Sequence, residues 1–259
     1  MLKRFLASLG IGAAKIDLIL DKHHIVMGEE VTGKIILKGG EVEQKVDGLN
    51  VHLRLSSKYK KGDHTLPVNE TVATVPVFRE SFIVSPGESK EFPFSFTCPK
   101  YLPVSSLNTR YYFQTELDIQ QGLDAKDIDA VAVIPSGLLF NLLEGFKLLG
   151  MTHLGEGYTG QRDGGWQIIQ FHATREFRGE YDEIVFMYQP RHTEHRISGY
   201  FELDKQTRGL LGMIADELDL DERKGSFSFG PAELESPQKA AETIREFIRR
   251  NSEGLIAGW

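Results

Sequence analysis

Apolar and polar residues alternate with period two through most of the chain, the signature of half-buried β-strands. Ile16, Leu18 and Leu20 fall on one side with Asp17 and Asp21 on the other, and Gly28-Glu29-Glu30 then turns the chain. Val31, Gly33, Ile35 and Leu37 repeat the pattern. After Gly39-Gly40 the clearest run sets Leu49, Val51, Leu53 and Leu55 against Asn50, His52, Arg54 and Ser56. Phe92, Phe94 and Phe96 alternate around Pro93, whose missing N–H predicts an edge or strand-end position. Tyr111, Phe113, Thr115, Leu117 and Ile119 form a further strand, and Val131 and Val133 close the first half. Short strands punctuated by Gly, Pro and Asp predict an antiparallel sandwich and not βαβ units.

At Pro135-Ser136 the period changes: Leu139, Leu142, Leu143, Phe146 and Leu149 take helical spacing and end at Gly150. This is the expected joint, with one domain over 1–135 and a second over 136–259. A glycine-rich passage, Gly155 to Gly165, is expected to be a loop. Alternation then resumes over 166–171, 184–188, 197–203, 214–220 and 227–229, which predicts a second sandwich. Ser236 as N-cap and Pro237 as first helical residue start a final helix with Ala240, Ala241, Ile244, Phe247 and Ile248 on one face. The predicted fold class is all-β: two tandem antiparallel β-sandwich domains with short N-terminal, linker and C-terminal helices.

The N-terminus reads differently. Met1-Leu2-Lys3-Arg4 and the apolar-small run behind it outline a signal peptide, but Gly10 and Gly12 dilute the run and the first strand follows at once. Leu2, Phe5, Leu6 and Leu9 instead repeat at i, i+3, i+4 and i+7, predicting a retained amphipathic helix. Its stripe packs on a sandwich, docks on a protein partner or touches a membrane surface; two cations give only weak attraction to anionic lipid. No stretch has the ~20 apolar residues of a membrane span.

Composition narrows the function. With 41% hydrophobic and 26% charged residues over 259 positions, the chain is of globular type. Its 37 acidic and 30 basic residues give a net charge of −7, which disfavours nucleic acid. One cysteine, Cys98, makes neither an internal disulfide nor a metal site and fits a reducing cytoplasm, so a cytoplasmic protein is expected, with peripheral membrane contact as the variant.

Motifs that could carry chemistry fail on context. Gly28, Gly33 and Lys34 have phosphate-loop spacing, but Ile35 stands where Ser or Thr should hold Mg²⁺, and Lys34 belongs to a strand pattern. Gly155-Glu156-Gly157-Tyr158-Thr159-Gly160 spells a dinucleotide fingerprint with the helix before it instead of after. His192 and His195 at i and i+3 suit an exposed turn, and the acidic run 216–222 lacks the glycine and spacing of a calcium loop. No nucleophile has an adjacent base. The expectation is therefore no enzyme, no cofactor and no metal. A carbohydrate- or lipid-binding sandwich is the alternative, with a metal-dependent hydrolase behind it; a homodimer through an exposed edge strand is left open.

Specific segments resemble a known family. Ala14-Lys15-Ile16-Asp17-Leu18-Ile19-Leu20, Gly28-Glu29-Glu30-Val31-Thr32-Gly33-Lys34-Ile35, Gly39-Gly40 and Val51-His52-Leu53 are similar to the opening of the bacterial sporulation-control proteins of the stage-zero M type. So are Tyr111 to Ile119, Asp124-Ala125-Lys126-Asp127, Glu180-Tyr181-Asp182-Glu183-Ile184 and Phe201-Glu202-Leu203-Asp204. The resemblance implies an arrestin-like fold, no catalytic residues, and an adaptor or regulator of sporulation that works by contact with protein partners. It also implies charged residues near the joint that fix domain orientation. Arg110 is the candidate cation there, either paired with one of Asp118, Asp124, Asp127 or Asp129 or standing with them as independent surface charges.

Overall fold

The computed structural model describes residues 12–61, 64–120, 124–205 and 222–252, and they are mostly β. The chain separates into two compact units. The first holds the residues up to Ser56, Asn69–Pro99 and Arg110–Val133; the second holds Ser57–Val68, Lys100–Thr109 and the residues from Ile134 on.

The strands of the first half are β1 (Lys15–Leu20), β2 (His24–Val26), β3 (Glu30–Lys38), β4 (Gln44–Lys61), β5 (His64–Phe78), β6 (Phe82–Val84), β7 (Ser89–Thr97), β8 (Arg110–Ile119) and β9 (Ala125–Ile134). A three-stranded sheet has the order β1-β3-β7; a larger one runs β2-β9-β8-β4-β5, with β6 also on β4. The alternation decides what lies between them. Leu18, Ile35, Leu37 and Phe94 from one sheet and Leu49, Val51, Leu53 and Phe113 from the other are buried. The Phe94 and Phe113 rings meet edge to face with centroids 5.6 Å apart.

Pro93 lies opposite Lys34 on β7, an outer strand of its sheet, as its missing donor requires. The 15-residue β5 has no clean alternation in sequence and contains Pro67 and Pro76. It is tolerated as a strand because it ends its sheet, where a proline breaks no ladder on the open side.

One core position is polar. Thr115 is fully buried in β8 and its hydroxyl has no hydrogen-bond partner among the described residues. Thr115→Val keeps the shape and removes an unpaired polar group, so it is expected to raise stability by about 1 kcal/mol in urea denaturation.

In the second unit, β10 (Met151–Tyr158), β11 (Gln167–Ala173), β12 (Tyr181–Tyr188), β13 (Ile197–Lys205) and β14 (Glu222–Phe229) form one antiparallel meander in chain order. Among the described residues, the layer on its buried face is helical, where the alternation had suggested a second sheet. It consists of α1 (Gly137–Leu148) and α2 (Pro237–Ser252). Their apolar stripes are wide enough to do this: Leu139, Leu142 and Phe146 of α1 and Ala240, Ala241, Ile244 and Ile248 of α2 are buried. Phe146 packs on Phe171 and Phe186 at 4.4 and 4.9 Å between centroids, and Phe247 meets Phe201 at 4.8 Å. Glu176 receives Arg245 at 2.5 Å and Arg249 at 3.0 Å, tying α2 to the β11–β12 connection.

The helix ends follow the sequence signals. The Ser236 hydroxyl accepts from the Lys239 N–H at 3.2 Å, and Gly150 follows α1 with φ of 72°. The glycine-rich passage is only partly a loop. Gly155 and Gly157 lie within β10, next to a register irregularity between His153 and Gly155. Gly157 is required by close approach, since a Cβ there would stand 2.6 Å from the Lys58 carbonyl oxygen. A glycine inside a strand signals such an approach.

Candidate functional site

The sequence-selected charges all lie in the first unit, and strand parity separates them. On β8, Arg110 and Asp118 are exposed and face outward, opposite in direction to the buried Tyr111 and Phe113. Arg110 forms no ion pair among the described residues; it stands at the start of the strand beside Ser56, whereas Asp118 lies at the other end. Asp124 binds the Ile119 N–H at 3.1 Å through Oδ1. Asp127 and Asp129 occupy the inward side of β9 with Val131 and Val133, where no arginine of the outer face can reach them.

These two carboxylates meet a third that the sequence did not single out, Asp17 of β1. Asp127 Oδ2 accepts the Leu18 N–H at 2.8 Å, satisfying a donor on the open edge of β1. Asp129 has a buried Oδ2 with no donor partner among the described residues. Burial first, then the negative charge of Asp127 and Asp17, push its carboxyl up to about 7.

The consequence is a pH-dependent stability of definite sign. Between the ordinary Asp range near 4 and about 7, the folded chain holds a proton that the unfolded chain releases, so stability falls as pH rises through that window. Full shielding would make this about 4 kcal/mol, and partial exposure cuts it to about 2 kcal/mol. Asp129→Asn is expected to abolish the decline: its melting temperature should exceed that of the parent at pH 8 and match it at pH 4.

In the second unit, a cleft of ≈ 380 Å³ lies where the end of β4 and the start of β5 meet β10 and β11. Its lining includes Lys58, Lys60, Thr65, Asn108, Ile168 and Gln170. The supporting framework is buried. Ser57 Oγ and Thr109 Oγ1 share a hydrogen bond of 2.9 Å, and the Tyr158 N–H donates to Ser57 Oγ at 3.1 Å.

The outer face of the same sheet carries Val185, Met187, Tyr200, Glu202, Lys224 and Ser226 around a shallow concavity of ≈ 550 Å³. Tyr200 is 53% exposed there. Trp166 stands 5.4 Å from it between ring centroids, with planes inclined by 48°. Glu202 and Lys224 pair at 3.5 Å beside the apolar residues.

The tested motifs take structural roles. Gly28 has φ of 85° in the β2–β3 turn, and Lys34 is a strand residue paired with Glu91 at 3.1 Å. His192 and His195 are exposed around a short 3₁₀ turn, with His192 Nδ1 3.0 Å from Gln189 Oε1. Cys98 is buried, and desolvation pushes its thiol up to about 11, which leaves little thiolate for chemistry. Among the described residues no group of three His, Cys, Asp or Glu could hold a metal ion, and no helix is long and apolar enough to cross a membrane. The stripe Leu2, Phe5, Leu6 and Leu9, the strand expected over 214–220 and most of the acidic run lie outside the described residues.

Two antiparallel β units, one built of facing sheets and one of a sheet backed by helices, define a β-rich protein whose exposed features are sheet faces and a cleft. A model of the SpoOM protein family matches residues 2–207, and the chain belongs to that family. It is 32% identical over 264 residues to the sporulation-control protein Spo0M of Bacillus subtilis strain 168, covering 97% of this chain and 98% of the relative. The crystal structure of Spo0M from B. subtilis superposes with a TM-score of 0.72 at 28% identity, covering 93% of this chain and all of that one.

Proposed function

We propose that the chain is a non-enzymatic regulator of sporulation that acts by binding protein partners. The observation that carries this is the match, over nearly the full length of both chains, to a protein described as controlling sporulation. The facing sheets of the first unit fit the arrestin-like module that the family resemblance implies, and such modules work through strand edges and sheet faces. The outer face of the second unit's sheet has the composition of a contact surface: Val185, Met187 and an exposed Tyr200 at the centre, with the Glu202–Lys224 pair at the side. The N-terminal stripe of Leu2, Phe5, Leu6 and Leu9 is a second surface for the same purpose, on a partner or at a membrane.

In-cell crosslinking with mass spectrometry tests this directly. Wild type should yield a reproducible set of partners, and Tyr200→Asp, or Phe5→Asp and Leu9→Asp, should lose members of it without a change in melting temperature. An identical set in all variants would remove both surfaces from the mechanism, and no specific partner in wild type would sink the function.

A further inference from the structure

We propose that the cleft at the end of the β4–β5 hairpin binds a small phosphate monoester. Its volume of ≈ 380 Å³ suits a metabolite-sized ligand, since small-molecule sites run from about 300 to 1,000 Å³. Lys58 and Lys60 are two positions apart on β4 and therefore project to the same side, about 7 Å apart along the strand. Neither forms an ion pair among the described residues, while the next lysine, Lys61, is held by Asp163 at 3.5 Å. Two lysines without an ion pair among the described residues, lining one concavity, are a local cationic feature on a chain of net charge −7. They match the nearly double negative charge of a phosphate monoester at neutral pH.

The remaining lining supplies the rest of a recognition site. Thr65 and Asn108 bring a hydroxyl and an amide, and Ile168 offers an apolar wall for the body of the ligand. Gln170 also lines the cleft, and its amide donates to Glu183. The backbone frame around the cleft is held by packing. Tyr59 is buried between the two lysines, Asn108 precedes the fully buried Thr109, and the backbone at Lys58 sits so close to Gly157 that no side chain fits there. A preorganised site avoids the entropic cost of ordering its own walls. This inference is independent of the protein-binding function and would add ligand sensing to it.

Amide-resolved NMR of the full chain in 0.15 M NaCl, titrated with glucose 6-phosphate and separately with glucose, inorganic phosphate and a polyglutamate peptide, tests the site. The expected result is saturable shifts at Asn108, Gly157 and Ile168 with the sugar phosphate, half-complete at about 1 mM or below. Glucose should give none, and inorganic phosphate should bind more weakly at the same amides. Lys58→Ala with Lys60→Ala should weaken binding at least about tenfold, the loss expected from a charge-assisted contact, with an unchanged melting temperature. No saturable shift in wild type, or equal affinity in the double variant, would overturn the site. Shifts with polyglutamate but not with the sugar phosphate would overturn it in favour of an acidic protein segment.

Discussion

Gln167→Leu is expected to lower stability by about 4 kcal/mol, although leucine fills a similar volume. Gln167 is fully buried on β11. Its Oε1 accepts from the Val104 N–H at 2.7 Å and from the Tyr188 hydroxyl at 3.0 Å, and its Nε2 donates to the Val104 carbonyl at 3.2 Å. The side chain thus pairs with the Val104 backbone as a neighbouring strand would, and so helps to fasten residues 100–109 to the sheet. Leucine would satisfy none of these groups, and each buried polar atom left unpaired costs about 1–3 kcal/mol. Urea denaturation should show the lower midpoint, and hydrogen exchange should show lost protection at Val104. A variant as stable as the parent would mean that the segment is held without this side chain, by contacts such as the packing of Leu102 and Val104.

Gly145→Val is expected to cost about 3 kcal/mol by forcing the two helices of the second unit apart. A Cβ at Gly145 would lie 2.8 Å from Ala240 Cβ and 2.9 Å from the Ala241 nitrogen, and the latter is backbone that cannot swing aside. The small residues of α2 exist to permit this approach. Valine adds two further methyl groups at the tightest point of the contact, so the usual gain in helix propensity over glycine, about 0.5 kcal/mol, does not offset the overlap. Thermal melting of the variant, with circular dichroism to follow helix content, reads the effect. Gly145→Ala should fall between the two.

How far the sequence reveals this architecture depends on whether a residue's role is local. Alternation in Leu49–Leu55 and Tyr111–Ile119 locates strands because one face of each is buried and the other is not. Ser236 and Pro237 locate a helix start because capping is a matter of adjacent residues. The covering layer of the second sheet is not local: the stripes on 139–146 and 240–248 are equally compatible with any apolar surface. β5 has no clean alternation because an edge strand obeys weaker rules, and it accommodates two prolines. The carboxylates were visible as a group in the sequence, but their partners were not. Parity along β8 and β9 sends Arg110 outward and Asp127 and Asp129 inward, and only the pairing of the two strands reveals that. Asp17 belongs to the cluster through a fold contact more than a hundred residues away in sequence. The cleft likewise joins residues 58–65, 108 and 157–170, which no motif could connect.

The most direct test of a partner-binding regulator is genetic, in a sporulating host from which the gene for this chain has been deleted. The Met187→Asp, Tyr200→Asp double variant places two charges at the centre of the exposed sheet face without touching the core. If control of sporulation is exerted through that face, the variant accumulates as folded protein with parental melting behaviour, yet spore formation stays at the level of the deletion strain. Full restoration by the variant, to the level given by wild type, would show that the face is not where this protein exerts its control.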